Sequence, residues 1–234
     1  MQAQDRHRVI AIDGPAASGK SSVARQLARR LGFVYVNSGA MYRAVTWSVL
    51  NSTIDPSDRP RIAELIATLS LGGVLRDRAL HLLIDGVDLT GHLHEDRVND
   101  EVSRVSTVPE VRNVLVARMR DYASKHDLVV EGRDIGSVVF SDTPYKFFID
   151  ASLKVRAQRR AAQGHRDEIA RRDQADSSRA ASPLFVAKDA EVIDTSHLTV
   201  DAVVDEIVKR LRAKNLKSSR VKDLKIGSNR SLNR

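Results

Sequence analysis

Apolar residues along this chain follow two rhythms, and the order of those rhythms predicts the fold class. Residues 9–12 form a short unbroken apolar run ahead of a turn, the pattern of a strand covered on both faces. From Lys20 to Leu31 the spacing becomes helical, with Val23, Ala24, Leu27, Ala28 and Leu31 on one face and Gly32 placed for a left-handed stop. Residues 33–36 are a second apolar run. Strand, helix and strand in that order predict a parallel pair joined by a right-handed crossover.

Helices are predicted over residues 41–50 and 62–69, with Pro56 and Pro60 bounding the loop between them. The segment GGVLRDRALHLLIDGVDLTG, residues 72–91, breaks the rhythm with short β-like runs around RDR and DG, which predicts a small antiparallel insert. Two helices follow, near 96–106 and 109–124, with Pro109 suited to the first turn of the second. LVVEGRD at 128–134, KFFID at 146–150 and AEVID at 190–194 read as further strands. A basic helical stretch covers about 153–179, and Val200, Val203, Val204, Ile207, Val208 and Leu211 give the last helix its apolar face. The expected product is an α/β chain: a doubly wound sheet of about five parallel strands with helices on both faces. It carries one antiparallel insert within about residues 41–124 and a basic lid near 154–180.

Composition narrows the class. A chain of 234 residues, 42% apolar and 29% charged, suits one core with an inserted lobe and excludes disorder throughout. It has no cysteine, which removes disulfide frameworks and thiolate metal sites and points to the cytoplasm. No apolar run approaches the roughly 20 residues that span a bilayer, so a soluble protein is expected. The net charge of +8 is unevenly spread: residues 214–234 hold seven Lys or Arg against one Asp, net +6, which leaves about +2 for residues 1–213. That basic tail is expected to be disordered, and a contact with nucleic acid stays open for it.

The first chemical signal is GPAASGKS at residues 14–21, which fits G-x-x-x-x-G-K-[ST] between a predicted strand and a predicted helix. Its glycines let backbone N–H groups turn inward around phosphate oxygens, and the helix presents its positive end to the same anion. Lys20 can reach between β- and γ-phosphates, and the Ser21 hydroxyl can ligate Mg2+. Such a P-loop binds a nucleoside triphosphate without saying what becomes of the phosphate. The NKxD base-reading motif of GTPases is absent.

A second corner, NSGAMYR at residues 37–43, puts Arg43 beside the loop at the carboxyl edge of the sheet, where open α/β sheets bind ligands. EGRD at residues 131–134 repeats the arrangement after the next strand, and Glu131 is a candidate to hold a water on Mg2+. Arg172, Asp176 and Arg179 share a helix face. Arginines converging from several elements suit a second phosphate gripped beside the first, since the guanidinium fork matches phosphate and keeps its proton. A phosphate acceptor already carries an anionic oxygen, so such a transfer needs no obvious general base. Arg133 with Asp134, and Arg172 with Asp176, also read as plain ion pairs. Arg156, Arg159, Arg160, Arg166 and Arg171 read either as a solvated face or as a lid. At this point the readings are a nucleoside monophosphate kinase, a kinase for another small acceptor such as UMP, dTMP or a hydroxy acid, and a basic NTPase that binds nucleic acid.

The segments IDGPAASGKSS, NSGAMYRA, VSRVSTVPEVR, VVEGRDIGSVVF, KFFIDAS, RRDQADSSRAASPL and VIDTS occur in the order found in bacterial cytidylate kinases, which the chain resembles over about residues 8–211. The resemblance implies ATP and (d)CMP as substrates and Mg2+ as cofactor; a monomer without membrane contact is expected. It assigns ATP to Gly14, Pro15, Ala16, Ala17, Ser18, Gly19, Lys20, Ser21 and Ser22, with Arg156 and Arg159. Lys20, Arg133 and Arg172 would be catalytic. Arg43, Arg133 and Arg172 would grip the CMP phosphate, with Ser38 and Tyr42 lining its site. Ser103, Arg112 and Asp134 would read the cytosine, Asp134 accepting from the amine that uracil lacks, while Asp176 and Arg179 would hold the sugar side. Ser21 would ligate Mg2+, with Glu131 reaching it through water, and the insert would be a monophosphate-binding region.

Overall fold

The computed structural model describes residues 7–162 and 184–216. Strand β1 (Val9–Asp13) leads through the P-loop into α1 (Lys20–Leu31), β2 (Val34–Asn37), α2 (Ser38–Asn51) and α3 (Arg59–Thr68). A hairpin of β3 (Leu71–Arg76) and β4 (Ala79–Ile84) follows, then β5 (Val87–Asp88), α4 (Asp96–Val105) and α5 (Pro109–Ala123). The chain returns through β6 (Leu128–Gly132), a π-helical turn at Ile135–Val139, β7 (Tyr145–Asp150), α6 (Leu153–Ala162), β8 (Glu191–Asp194) and α7 (Val200–Ala213).

β2, β6, β1, β7 and β8 lie side by side in that order, every neighbouring pair parallel, so the expected five-stranded core is present. The two halves of the sheet run outward from β1, which brings the carboxyl ends of β1, β2 and β6 together. Unbroken apolar runs reflect two covered faces. In β1, Val9 and Ala11 pack with α2 to α5, whereas Ile10 and Ile12 pack with α1 and α7. β6 divides in the same way, Leu128 and Val130 against Val129.

The antiparallel insert extends this sheet instead of standing apart from it. β4 joins β2 through one parallel pair, Tyr35 with Ala79, and carries β3 and β5 on its other sides. One register pair between distant strands leaves no mark on local hydrophobic periodicity.

Capping sets several element ends away from the apolar pattern. α2 begins at Ser38, three residues ahead of the expected Met41, because the Asn37 side chain accepts the Ala40 N–H at 2.9 Å. α3 begins at Arg59, where Asp58 accepts from the Arg61 N–H at 3.2 Å and Pro60 fits inside the first turn. The strand expected to reach residue 134 ends at Gly132, since the chain then coils into the π-helical turn. The start of the basic tail is tied to the body: Lys214 Nζ reaches Glu191 at 2.6 Å, and Leu216 is buried. Residues 217–234, and the part of the expected basic helix after Ala162, lie outside the described residues, apart from residues 184–216.

Candidate active site

The P-loop is a backbone construction braced from behind. A Cβ on Gly14 would stand 2.1 Å from the Ile149 carbonyl oxygen, so only glycine lets β1 leave the sheet there. Ala17 (φ 57°) and Gly19 (φ 93°) complete the turn, and α1 opens at Lys20 with its first N–H groups at the loop. Carbonyls on the outer side are taken up by side chains. Arg159 donates to the Ser18 carbonyl at 3.1 Å and to the Thr195 carbonyl at 2.7 Å. The Thr195 hydroxyl lies 2.8 Å from the same Ser18 oxygen. Arg156 reaches the Ala16 carbonyl at 3.4 Å. With those oxygens held outward, the loop N–H groups are left facing in, as an anion site requires. Lys20 Nζ crosses the loop to the Pro15 carbonyl at 2.9 Å, and the buried Ser18 hydroxyl has no hydrogen-bond partner among the described residues.

The second corner is made of side chains. α2 opens against the end of β6, where Ser38 Oγ donates to the Glu131 carbonyl at 2.8 Å. That approach needs Gly132, since a Cβ there would stand 2.5 Å from Ser38 Oγ. One turn along α2, the Arg43 Nε donates to Asn99 of α4 at 3.3 Å. Arg112 of α5 forms a buried ion pair with Asp134 and lies 5.9 Å from the centre of the Tyr42 ring. Arg133 is half-buried at the same edge. Both corners open into one cavity of about 760 Å³, whose wall includes residues 16–22, residues 37–39, Tyr42, Arg43, Arg112 and residues 131–134. A cavity of this size lies within the range of small-molecule sites.

Two carboxylates are buried at the ends of β1 and β6, and of these Glu131 lines the cavity. Asp13 accepts the N–H groups of Ile135 and Gly136 at 2.8 and 2.7 Å, yet burial outweighs these bonds and pushes its carboxyl up to about 6, with Asp134 adding to the rise and Lys20 opposing it. Glu131 accepts from the Tyr35 hydroxyl at 2.9 Å. Burial, then the Glu131 charge, pushes the Tyr35 hydroxyl up, so it stays a donor. Among the described residues no group of three or more His, Cys, Asp or Glu could hold a metal. Ser21 on the cavity wall with Glu131 nearby gives instead the sparse, hard-oxygen donor set that suits Mg2+ bound mainly through phosphate.

Comparison with known proteins decides the family. The family model described as cytidylate kinase matches residues 10–213. The chain belongs to the cytidylate kinase family. It is 44% identical over 217 residues to a cytidylate kinase of Corynebacterium glutamicum, covering 88% of this chain and 94% of the relative. It is 41% identical over 221 residues to one of Caldanaerobacter subterraneus subsp. tengcongensis, covering 89% and 96%. A cytidylate kinase of Clostridium botulinum is 41% identical over 209 residues, covering 85% and 94%.

Within this cytidylate kinase fold, Ser38, Tyr42, Arg43, Arg112, Arg133 and Asp134 come together from α2, α5 and the end of β6. Ser103 lies on α4 between Val102 and Ser106, both of which line the cavity. Arg156 and Arg159 touch the back of the P-loop, and neither is a freely solvated residue. Arg166, Arg171, Arg172, Asp176 and Arg179 lie outside the described residues. Sequence reasoning passed over Asp13, Tyr35, Asn99 and Thr195. An acid closing an otherwise apolar strand was a usable signal for Asp13, and Thr195 sits inside the VIDTS segment.

Proposed function

We propose that this protein transfers the terminal phosphoryl group of ATP to CMP or dCMP, giving ADP and CDP or dCDP. The observation that carries the reading is the single cavity shared by the P-loop and the cluster of Arg43, Arg112, Arg133 and Asp134, in a member of the cytidylate kinase family. A phosphate oxygen of the acceptor forms the new bond to the γ-phosphorus, while the bond from that phosphorus to the β,γ-bridging oxygen breaks and its electrons leave with ADP. The chain's task is placement and charge. The P-loop amides hold the triphosphate, and Lys20 exchanges its Pro15 carbonyl for phosphate oxygens as charge builds on them. Arg43 and Arg133 hold the acceptor phosphate in line, and Arg172 joins them in this reading. Asp134, aligned by Arg112, accepts from the cytosine amine. A uracil there would leave a buried acceptor unmatched, which is how polar sites select strongly. Ser103, Asp176 and Arg179 complete the base and sugar contacts.

Mg2+ neutralises charge on the transferring phosphates when bound. Ser21 would hold it directly and Glu131 would hold it through a water. Residues 1–213 act as one kinase unit, with the insert at about 41–124 binding the monophosphate. It works as a cytoplasmic monomer, and residues 214–234 are dispensable for catalysis. Among the described residues no helix is long and apolar enough to cross a membrane. A coupled ADP-release assay with CMP, dCMP, UMP and dTMP tests the reading: the cytidine nucleotides give the highest kcat/KM, and a preference for UMP overturns it.

A further inference from the structure

Asp13 is buried at the end of β1 and is not among the residues that line the cavity. Its two carboxylate oxygens are nevertheless committed to the site. Oδ1 accepts the Ile135 N–H and Oδ2 the Gly136 N–H, the two donors that immediately follow Asp134. Those donors open the π-helical turn, whose next N–H groups, from Val138 and Val139, return to the Asp134 carbonyl at 2.9 and 3.1 Å. Asp134 is therefore held at a turn start whose exposed donors are fixed by a charged acceptor on another strand. The opposite side of the turn is closed too. A Cβ on Gly136 would lie 3.1 Å from Lys146 Cγ, and Lys146 is itself fixed by Asp189 at 2.7 Å and by the Ser141 carbonyl at 2.6 Å.

We propose that Asp13 is a positioning residue for acceptor choice: by gripping the Ile135 and Gly136 amides it sets where the Asp134 carboxylate stands in its pair with Arg112, and so how sharply the site separates cytosine from uracil. This rests on the reading that Asp134 recognises the base. The same residue precedes Gly14, so the strand that starts the ATP loop also sets the acceptor side. Both hydrogen bonds point toward the turn, which assigns the larger effect to CMP, while the loop side feels Asp13 only through its charge facing Lys20.

Steady-state kinetics of Asp13→Asn with CMP and UMP at saturating ATP test the proposal. The replacement keeps the shape but removes the charge and one of the two acceptors. The CMP-to-UMP ratio of kcat/KM falls about tenfold, the scale of one lost hydrogen bond to a charged group, while KM for ATP stays within about twofold. In the Asp134→Asn background the same change moves the ratio by less than about twofold, because the two residues act through one contact. An unchanged ratio in Asp13→Asn overturns the proposal, as does an equal drop on top of Asp134→Asn, or a matching rise in KM for ATP and CMP. If Asp134→Asn alone leaves selectivity intact, the base-reading role of Asp134 fails first, and that outcome is distinct. Hydrogen exchange on the unaltered enzyme is independent of whether the variant folds: slow exchange at Ile135 and Gly136 supports the grip, and exchange as fast as in exposed loops overturns it.

Discussion

In the proposed reaction the two halves of the cavity would hold phosphate by opposite means. On the proposed ATP side the loop offers backbone N–H groups, and Arg156, Arg159 and Thr195 restrain its carbonyls, with Arg159 and Thr195 also lining the cavity. On the proposed acceptor side the wall is made of side chains, brought from α2, α5 and the end of β6. A backbone cradle is general, since every nucleoside triphosphate presents the same phosphates. A side-chain cradle is selective, because each partner must be in place and satisfied. Lys20 is the exception on the ATP side, the one loop side chain aimed across the phosphates. Lys20→Ala is expected to lower kcat by roughly 10²–10³ or more, with KM for CMP little changed, as measured by coupled ADP release. Near-normal turnover would leave the loop a purely backbone device and break the comparison in its favour.

The acceptor half should be the more fragile in stability. Arg112 and Asp134 have side chains only 10% and 8% exposed, so removing one leaves a charge in a poor solvent. Arg112→Ala is expected to cost about 3–5 kcal/mol in urea unfolding, whereas replacing both residues by apolar ones of similar volume restores much of it. A cost below about 1 kcal/mol for the single change would mean that water already reaches the pair.

The carboxylate joining the two halves gives a pH signature. Asp13 titrates at about 6 in the folded chain, against 3.8 for an ordinary Asp. Between those values the folded chain keeps a proton that the unfolded chain has released, so this contribution is full below about pH 4 and lost as pH rises past about 6. Its size is on the order of 2–3 kcal/mol. Urea midpoints measured at pH 4.5 and 7 should therefore fall more with rising pH in the original protein than in Asp13→Asn, which has nothing to titrate there. Equal slopes would show that Asp13 titrates like a solvated acid.

What could be seen in the sequence follows from the range of each interaction. The P-loop is eight consecutive residues, and the five parallel strands are apolar runs, so both were legible. The grip of Asp13 spans 122 residues, the Tyr35 bond to Glu131 spans 96 and the Thr195 bond to Ser18 spans 177, and no local pattern encodes contacts of that range. The start of α2 was missed by three residues because a capping bond from Asn37 overrode the apolar spacing. Ser103 lies on α4 between Val102 and Ser106, which both line the cavity, and no local pattern in the sequence marks that face of α4 as the one turned toward the site. The acceptor site was legible mainly through resemblance, since its residues lie on separate elements and only folding unites them.

The smallest effect expected belongs to the brace behind the loop. The Thr195 hydroxyl stands 2.8 Å from the Ser18 carbonyl and 3.0 Å from that of Asp150, bridging the loop to β7, and it also receives Arg159. Thr195→Val keeps the volume and the branched shape while removing the hydroxyl. The loss is about 1–2 kcal/mol of stability, the scale of a buried hydrogen-bonding group left without its partner. Because the Ser18 carbonyl is still held by Arg159, the loop loses only one of two restraints, and KM for ATP should rise about threefold to tenfold with KM for CMP unchanged. Titration of an ATP analogue by calorimetry separates the outcomes. If CMP affinity moves as much as ATP affinity, the brace serves both halves, and the division between a backbone site and a side-chain site gives way to a single coupled one.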